Sequence, residues 1–244
     1  MWHTQKNCRG GLLISLFLVK LLPQITMGQQ ASVFSSQQQT EYSTIFGEKY
    51  TDAVKYLSGN PFIYDTLLKN GINPNFALSI VFPEIIRYST IQDKLETAGL
   101  LSLYVSYGNK YADFSIGRFQ MKPSFVEQVE RDYVNYVDKS YSFQIDTNDT
   151  RSRLARVSRL NSEAWQVKYL VMFIKVMNSR YAFLHWKSLN DKLKFYAVAY
   201  NAGYTSGEER ITELIPENLF HLGVSRNNPK YNYADISLSY FTRY

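Results

Sequence analysis

The sequence predicts a mainly α protein built as one domain. Three observations point there. Helix-start signatures recur along the chain, apolar residues recur at helical spacing behind them, and few runs alternate as strands do. The chain has 244 residues, 45% of them hydrophobic. That is ample for one sizeable core and thin for two. No internal repeat and no second linker divides it.

Composition removes several classes. Charged residues make up 20% and aromatics 16%, which argues against long disorder beyond the N-terminus. With 12 Gly and 7 Pro the chain is not collagen-like. The one Cys, Cys8, excludes an intrachain disulfide and a cysteine zinc site. His3, His185 and His221 do not make a polyhistidine metal centre, and no cofactor is expected. No glycine-rich phosphate loop or nucleic-acid motif is present, so no nucleic-acid partner is expected.

The first element reads as an export signal. Lys6 and Arg9 precede an apolar run from Gly11 to Leu22, interrupted by Lys20 and broken by Pro23. Thr26-Met27-Gly28 places small residues at the −3 and −1 positions of a cleavage site. Residues 1–28 are therefore expected to be a signal peptide, carrying the chain across the inner membrane into the periplasm. The run is short for a membrane span, and an uncleaved anchor is the alternative. Cys8 precedes the apolar run, where a lipoprotein cysteine would follow it. Residues 1–28 hold three cations and no anion, so cleavage lowers the net charge from +6 to +3. Residues 29–40 are Gln/Ser-rich and read as a flexible leader. The domain proper is expected over 41–244.

Helix signals follow in order. Asn60-Pro61 reads as an N-cap with Pro at the first helical position, and Gly71 stops that helix. Asn73-Pro74 opens a helix through Phe76, Leu78, Ile80, Val81, Ile85 and Ile86. Ser124-x-x-Glu127 has the form of a capping box, followed by Val126, Val129, Tyr133 and Val137 on one face. Asn161 or Ser162 opens the most hydrophobic helix, WQVKYLVMFIKVM, expected to be central. Asn190 is expected to cap a helix through Leu193, Tyr196, Ala197 and Tyr200, closed by Gly203. Pro216 ends a short helix, and a last one runs from about Asn232. The best candidate for a small hairpin or extended segment is 113–121, DFSIGRFQM.

One carboxylate stands out. Glu84 sits in ALSIVFPEIIRYS, mid-helix and otherwise apolar. Burial disfavours the ionised form, so its pKa should rise. A raised-pKa carboxyl is what a glycosidic general acid needs. Pro83 removes the bond to the Ser79 carbonyl and should kink the helix beside it. The bland alternatives are a solvated Glu beside Arg87, or a helix that starts late, at Pro83.

Two further segments bear on that choice. Ile116-Gly-Arg-Phe-Gln-Met-Lys-Pro123 sets a Gly turn before Gln120 and Met121. Val198-Ala-Tyr-Asn-Ala-Gly203 ends a helix. With Val81-Phe-Pro-Glu84 before them, these segments resemble, in order, the motifs of the soluble lytic transglycosylase family, lysozyme-like relatives of goose-type lysozyme. The resemblance spans roughly residues 72–204. It departs in several places, among them a long stretch from Gln120 to Tyr200 that holds the Arg-rich segment TRSRLARVSRL. Ile85 follows the acid instead of Ser, Arg118-Phe119-Gln120 replaces Leu-Met-Gln, and 36 positions separate Glu84 from Gln120. A helix inserted at about Ile91 to Tyr107 accounts for the last.

The resemblance implies cleavage of the β-1,4 bond between N-acetylmuramic acid and N-acetylglucosamine in peptidoglycan, with a 1,6-anhydromuramoyl product. The partner is then a peptidoglycan glycan strand. Glu84 would be the catalytic residue, as acid and then base. Gln120, Met121, Tyr200 and Asn201 would lie on the substrate side, with the Tyr200 hydroxyl directed at Glu84 or the substrate acetamido group. Asn201 and Gly203 also read as shaping the helix end. The family places a C-terminal Tyr near the acid, for which Tyr240 is taken and Tyr233 is the alternative.

Other residues are weighed more plainly. Tyr104, Tyr107 and Tyr111 are candidate groove residues among the 20 Tyr. Arg151, Arg153, Arg156 and Arg159 could meet peptide-stem carboxylates, but a solvated helix face is the simpler reading. Trp165 and Trp186 read as core. Asp113 and Asp93 are the acids that could approach Glu84, and both read as solvated. A hydrolytic lysozyme through one of them is an alternative. So is a non-catalytic wall-binding scaffold within an envelope machine, with machine partners, which Ile85 favours and Glu84 opposes.

Overall fold

A computed structural model describes residues 42–88, 94–141, 149–223 and 228–244. The expected signal peptide, the leader and Asp93 lie outside them. Among the described residues the chain is mostly helical with little sheet. A helical stretch at 42–46 leads into α1 (Glu48–Ser58), α2 (Pro61–Lys69) and α3 (Pro74–Tyr88). Then come α4 (Lys94–Tyr107), α5 (Pro123–Tyr136), α6 (Thr150–Leu160), α7 (Glu163–Arg180) and α8 (Leu189–Ala202). A 3₁₀ turn at Tyr204–Ser206 precedes α9 (Glu208–Leu214), strands β1 (Asn218–Phe220) and β2 (Tyr231–Asn232), and α10 (Tyr233–Arg243).

The local codes place most helix starts. Pro61 and Pro74 open α2 and α3, and Asn73 Oδ1 accepts the Phe76 N–H at 3.1 Å. Asn232 caps α10 through the Asp235 N–H at 2.9 Å. Two starts differ from expectation. Ser188, not Asn190, caps α8, taking the Asp191 N–H at 3.1 Å. The capping box at 124–127 does not form, because α5 begins at Pro123 behind Lys122. Asp113 instead accepts from Ser124 N at 3.0 Å and from Ser124 Oγ at 2.8 Å, and Glu127 turns into the interior.

Two helices carry the core. From Phe76 to Ile86 every residue of α3 is buried, so this helix is apolar all round and enclosed. It packs against α10, α8 and α1. The helix α7, expected to be the most hydrophobic, is less apolar than α3; it is buried along most of its length and packs mainly on α5. Each large apolar side chain so enclosed contributes about 1.5–3 kcal/mol. The helix α3 continues through Pro83 to Tyr88. Val137 lies just past the end of α5 and is exposed rather than on its core face.

The Arg-rich segment forms α6, and its face is not solvated. Arg153 and Arg156 are buried, and the Arg156 side chain is fully enclosed. Arg156 donates to Glu130 Oε2 at 2.9 and 2.8 Å and to the Tyr104 hydroxyl at 2.8 Å. Arg159 donates to Glu130 Oε1 at 2.8 Å. Glu127 and Glu130 lie on the inner face of α5, where only cations and donors can satisfy them. Arg151 stays exposed.

The extended segment at 113–121 is a tight reversal. Ile116 and Met121 exchange backbone hydrogen bonds at 2.9 and 3.1 Å. The antiparallel pair β1–β2 has no counterpart in the sequence reading. It seats Phe220 edge-on against Tyr233, with ring centroids 5.2 Å apart.

Candidate active site

Three segments converge on one cleft of about 420 Å³. The end of α3 supplies Glu84 and Arg87. The reversal and the start of α5 supply Asp113, Gln120, Met121 and Lys122. The end of α8 supplies Tyr200 and Asn201. The sequence-predicted residues Glu84, Gln120, Met121, Tyr200 and Asn201 thus share one wall system.

Glu84 is 4% exposed, and its Oε2 is buried with no hydrogen-bond partner. Arg87 Nη1 stands 3.5 Å away, one turn along the helix. That is within ion-pair range but beyond good hydrogen-bond length. Burial pushes the carboxyl up from its ordinary 4.5 to about 7, against the pull of the Arg87 and Lys122 charges. Desolvation wins because Arg87 is partly in solvent, and its guanidinium also lies over the Phe220 ring at 5.7 Å.

The tyrosines near Glu84 stay protonated. Burial raises the hydroxyls of Tyr200 and Tyr233 well above the ordinary range, and the Glu84 charge adds to it. Neither donates to the acid. Tyr200 donates to the Phe119 carbonyl at 2.7 Å, so it is not directed at Glu84 as expected. Tyr233 donates to the Ile80 carbonyl at 3.0 Å, one turn before the acid.

Tyr240 does not reach the cleft. It is 2% exposed, and its ring stacks on Phe82 with centroids 4.0 Å apart and planes 24° apart. Tyr233 is the C-terminal tyrosine within electrostatic reach of Glu84. Tyr104 is buried and donates to Glu127 at 2.7 Å, while Tyr107 and Tyr111 are exposed outside the cleft lining.

The Gln120 turn is held from outside. Gln120 has φ 49°, a left-handed conformation rare for a residue with a side chain. Its Nε2 donates to the Gly117 carbonyl at 2.8 Å, committing one amide proton to the turn. The Phe119 N–H donates to Gln166 Oε1 at 2.9 Å, and Gln166 Nε2 donates to the Leu160 carbonyl at 2.7 Å. The Phe119 backbone is therefore held at its N–H by Gln166 and at its carbonyl by Tyr200. Sequence reasoning missed Gln166. Its signal is a polar side chain at a buried position of the apolar run WQVKYL. Lys122 and Arg87 were also not assigned to a site, and both line the cleft.

Asp113 is the second carboxylate on the cleft, and it is exposed. Asn201 lies in the last turn of α8, exposed, ahead of Gly203 at φ 95°. Among the described residues no group of three or more His, Cys, Asp or Glu is placed to hold a metal ion. Among them no helix is long and apolar enough to cross a membrane. Comparison with family models, curated proteins and solved structures returns no match.

Proposed function

We propose that the protein is a lysozyme-like peptidoglycan lytic transglycosylase, acting on glycan strands outside the cytoplasm. The observation that carries the reading is the buried carboxyl of Glu84 in the lining of an open cleft, with an Oε2 that accepts no hydrogen bond and has Arg87 3.5 Å away. A carboxyl held up to about 7 is protonated in mildly acidic to neutral water. It can give its proton to a glycosidic oxygen as the C1–O bond breaks. The resulting carboxylate then takes the proton of the sugar's C6 hydroxyl while that oxygen bonds to C1. The proton returns to Glu84, and no water is consumed. The acid is regenerated, so one carboxyl suffices where most glycosidases need two. The motif order Glu84, Gln120-Met121 and Tyr200-Asn201 supports the same reading, as does the export-type N-terminus.

Asp113 favours a second reading, hydrolysis, because it lines the same cleft as Glu84. Both its oxygens accept from Ser124, which fixes its position on the cleft. Mass spectrometry of digested sacculi separates the readings. Anhydro ends support the transglycosylase, reducing ends support the hydrolase, and intact sacculi with retained binding support a wall-binding scaffold.

A further inference from the structure

We propose that Tyr107 and Tyr111 form a stacking platform for a sugar ring at the rim of the cleft, extending the site along the glycan strand. The inference rests on the glycan reading above and adds a subsite to it. The two side chains are 62% and 71% exposed, and their rings lie 5.4 Å apart at 49°. A lone exposed aromatic on a surface needs no explanation. Here two stand side by side on a segment braced from within.

The bracing comes from buried charge. Arg153 donates to the carbonyls of Val105 at 2.7 Å and Ser106 at 3.0 Å, just before the first tyrosine. Gly108 turns the chain at φ 88°, and the Tyr111 N–H returns to its carbonyl at 3.1 Å. Asn109, between the tyrosines, donates to Glu127 at 2.5 Å. Buried Ala112 then pins the segment to the small cluster of Tyr104 and Val157. The segment is rigid while its two largest side chains face water, which is the arrangement of a pre-ordered contact surface.

Its position links it to the cleft. Tyr111 and Asp113 are both exposed, on either side of the buried Ala112. Asp113 lines the cleft, and two residues of chain, even fully extended, span about 7 Å at most. A pyranose offers an apolar C–H face and a polar edge. Exposed tyrosine rings match both, with an apolar face and a wet hydroxyl. An open pair reads the face of a ring and leaves its substituents free, which suits a polymer running past the acid.

The test uses the Glu84→Gln variant of the full chain, titrated calorimetrically with β-1,4-linked N-acetylglucosamine oligomers of two to six sugars. Affinity should rise with length. Adding Tyr107→Ala and Tyr111→Ala should lower affinity for the longest oligomer about tenfold and flatten the rise, since each ring contact is worth roughly half a decade to a decade. Adding Tyr107→Phe and Tyr111→Phe should keep the rise, because the rings remain. Tyr111→Ala alone replaces the double change if the latter melts early. An unchanged length dependence in the Ala variants overturns the platform and leaves the cleft reading standing. Loss in the Phe variants as well overturns stacking as the cause. No binding of any oligomer by Glu84→Gln overturns the platform and the glycan reading together.

Discussion

A β-carbon on Gly117 would stand 1.5 Å from the side-chain nitrogen of Gln166. The turn that carries Gln120 can approach α7 this closely only with glycine at 117, which also holds φ 71°. Gly117→Ala should therefore destabilise the protein by at least about 2 kcal/mol, from the left-handed backbone and the overlap together. In a Gln166→Ala background the overlap disappears and the same change should cost less. Urea denaturation of the four variants measures the coupling. Equal costs in both backgrounds would show that the clamp does not set the turn.

Glu84→Gln should abolish cleavage and remove a pH dependence of stability. The Glu84 pKa in the folded chain is about 7, above its ordinary 4.5. Between these values the folded state holds a proton that the unfolded state has lost. Stability therefore falls as pH rises from about 4.5 to 7, by on the order of 3 kcal/mol in all. The Gln variant has no such proton. Denaturation midpoints against pH should slope for wild type and be flatter for the variant over that window.

The alkaline limb of kcat/KM should lie near pH 7, where the free enzyme loses its acid. Arg87 and Lys122 both pull the Glu84 pKa down. Arg87→Met should move the limb upward, and Lys122→Met should move it upward by less. A limb near about 4, that of an exposed Glu, would remove Glu84 from the role of acid.

Arg156→Met should destabilise the fold by about 3–5 kcal/mol, because Glu130 loses the donor to its Oε2 inside the protein. Arg151→Met on the same helix should cost within about 0.5 kcal/mol, since Arg151 is exposed. Guanidinium unfolding of the pair gives the contrast, and similar midpoints would mean that the internal charge pairs contribute little.

Helix starts written in adjacent residues were legible. Asn73-Pro74 and Asn232 act through partners three residues away, so sequence alone shows them. Glu84 was visible because a carboxylate in an apolar helix is chemically out of place. Choices between equivalent positions were not legible. Tyr233 and Tyr240 lie seven residues apart on α10, close to two helical turns, and share a face. Only packing sends one to Ile80 and the other to Phe82. The enclosure of Arg156 depends on carboxylates 26 and 29 residues away, beyond any local pattern. Tyr104, Asn109 and Arg156 in turn hold Glu127 in the interior, away from the capping role that its spacing suggested. Strands of two and three residues are too short to show an alternation.

The seating of α10 on α3 ties the acid's chemistry to the order in which the chain folds. The bond from Tyr233 to Ile80 closes a loop of 153 residues. Contacts of such separation form late, after nearer ones have offset the entropy of closing the chain. Without that helix docked, α3 lacks one of the elements that enclose it, and burial, the cause of the raised Glu84 pKa, is weakened. The proton-holding form of Glu84 is thus a property of the assembled fold and not of the α3 sequence alone.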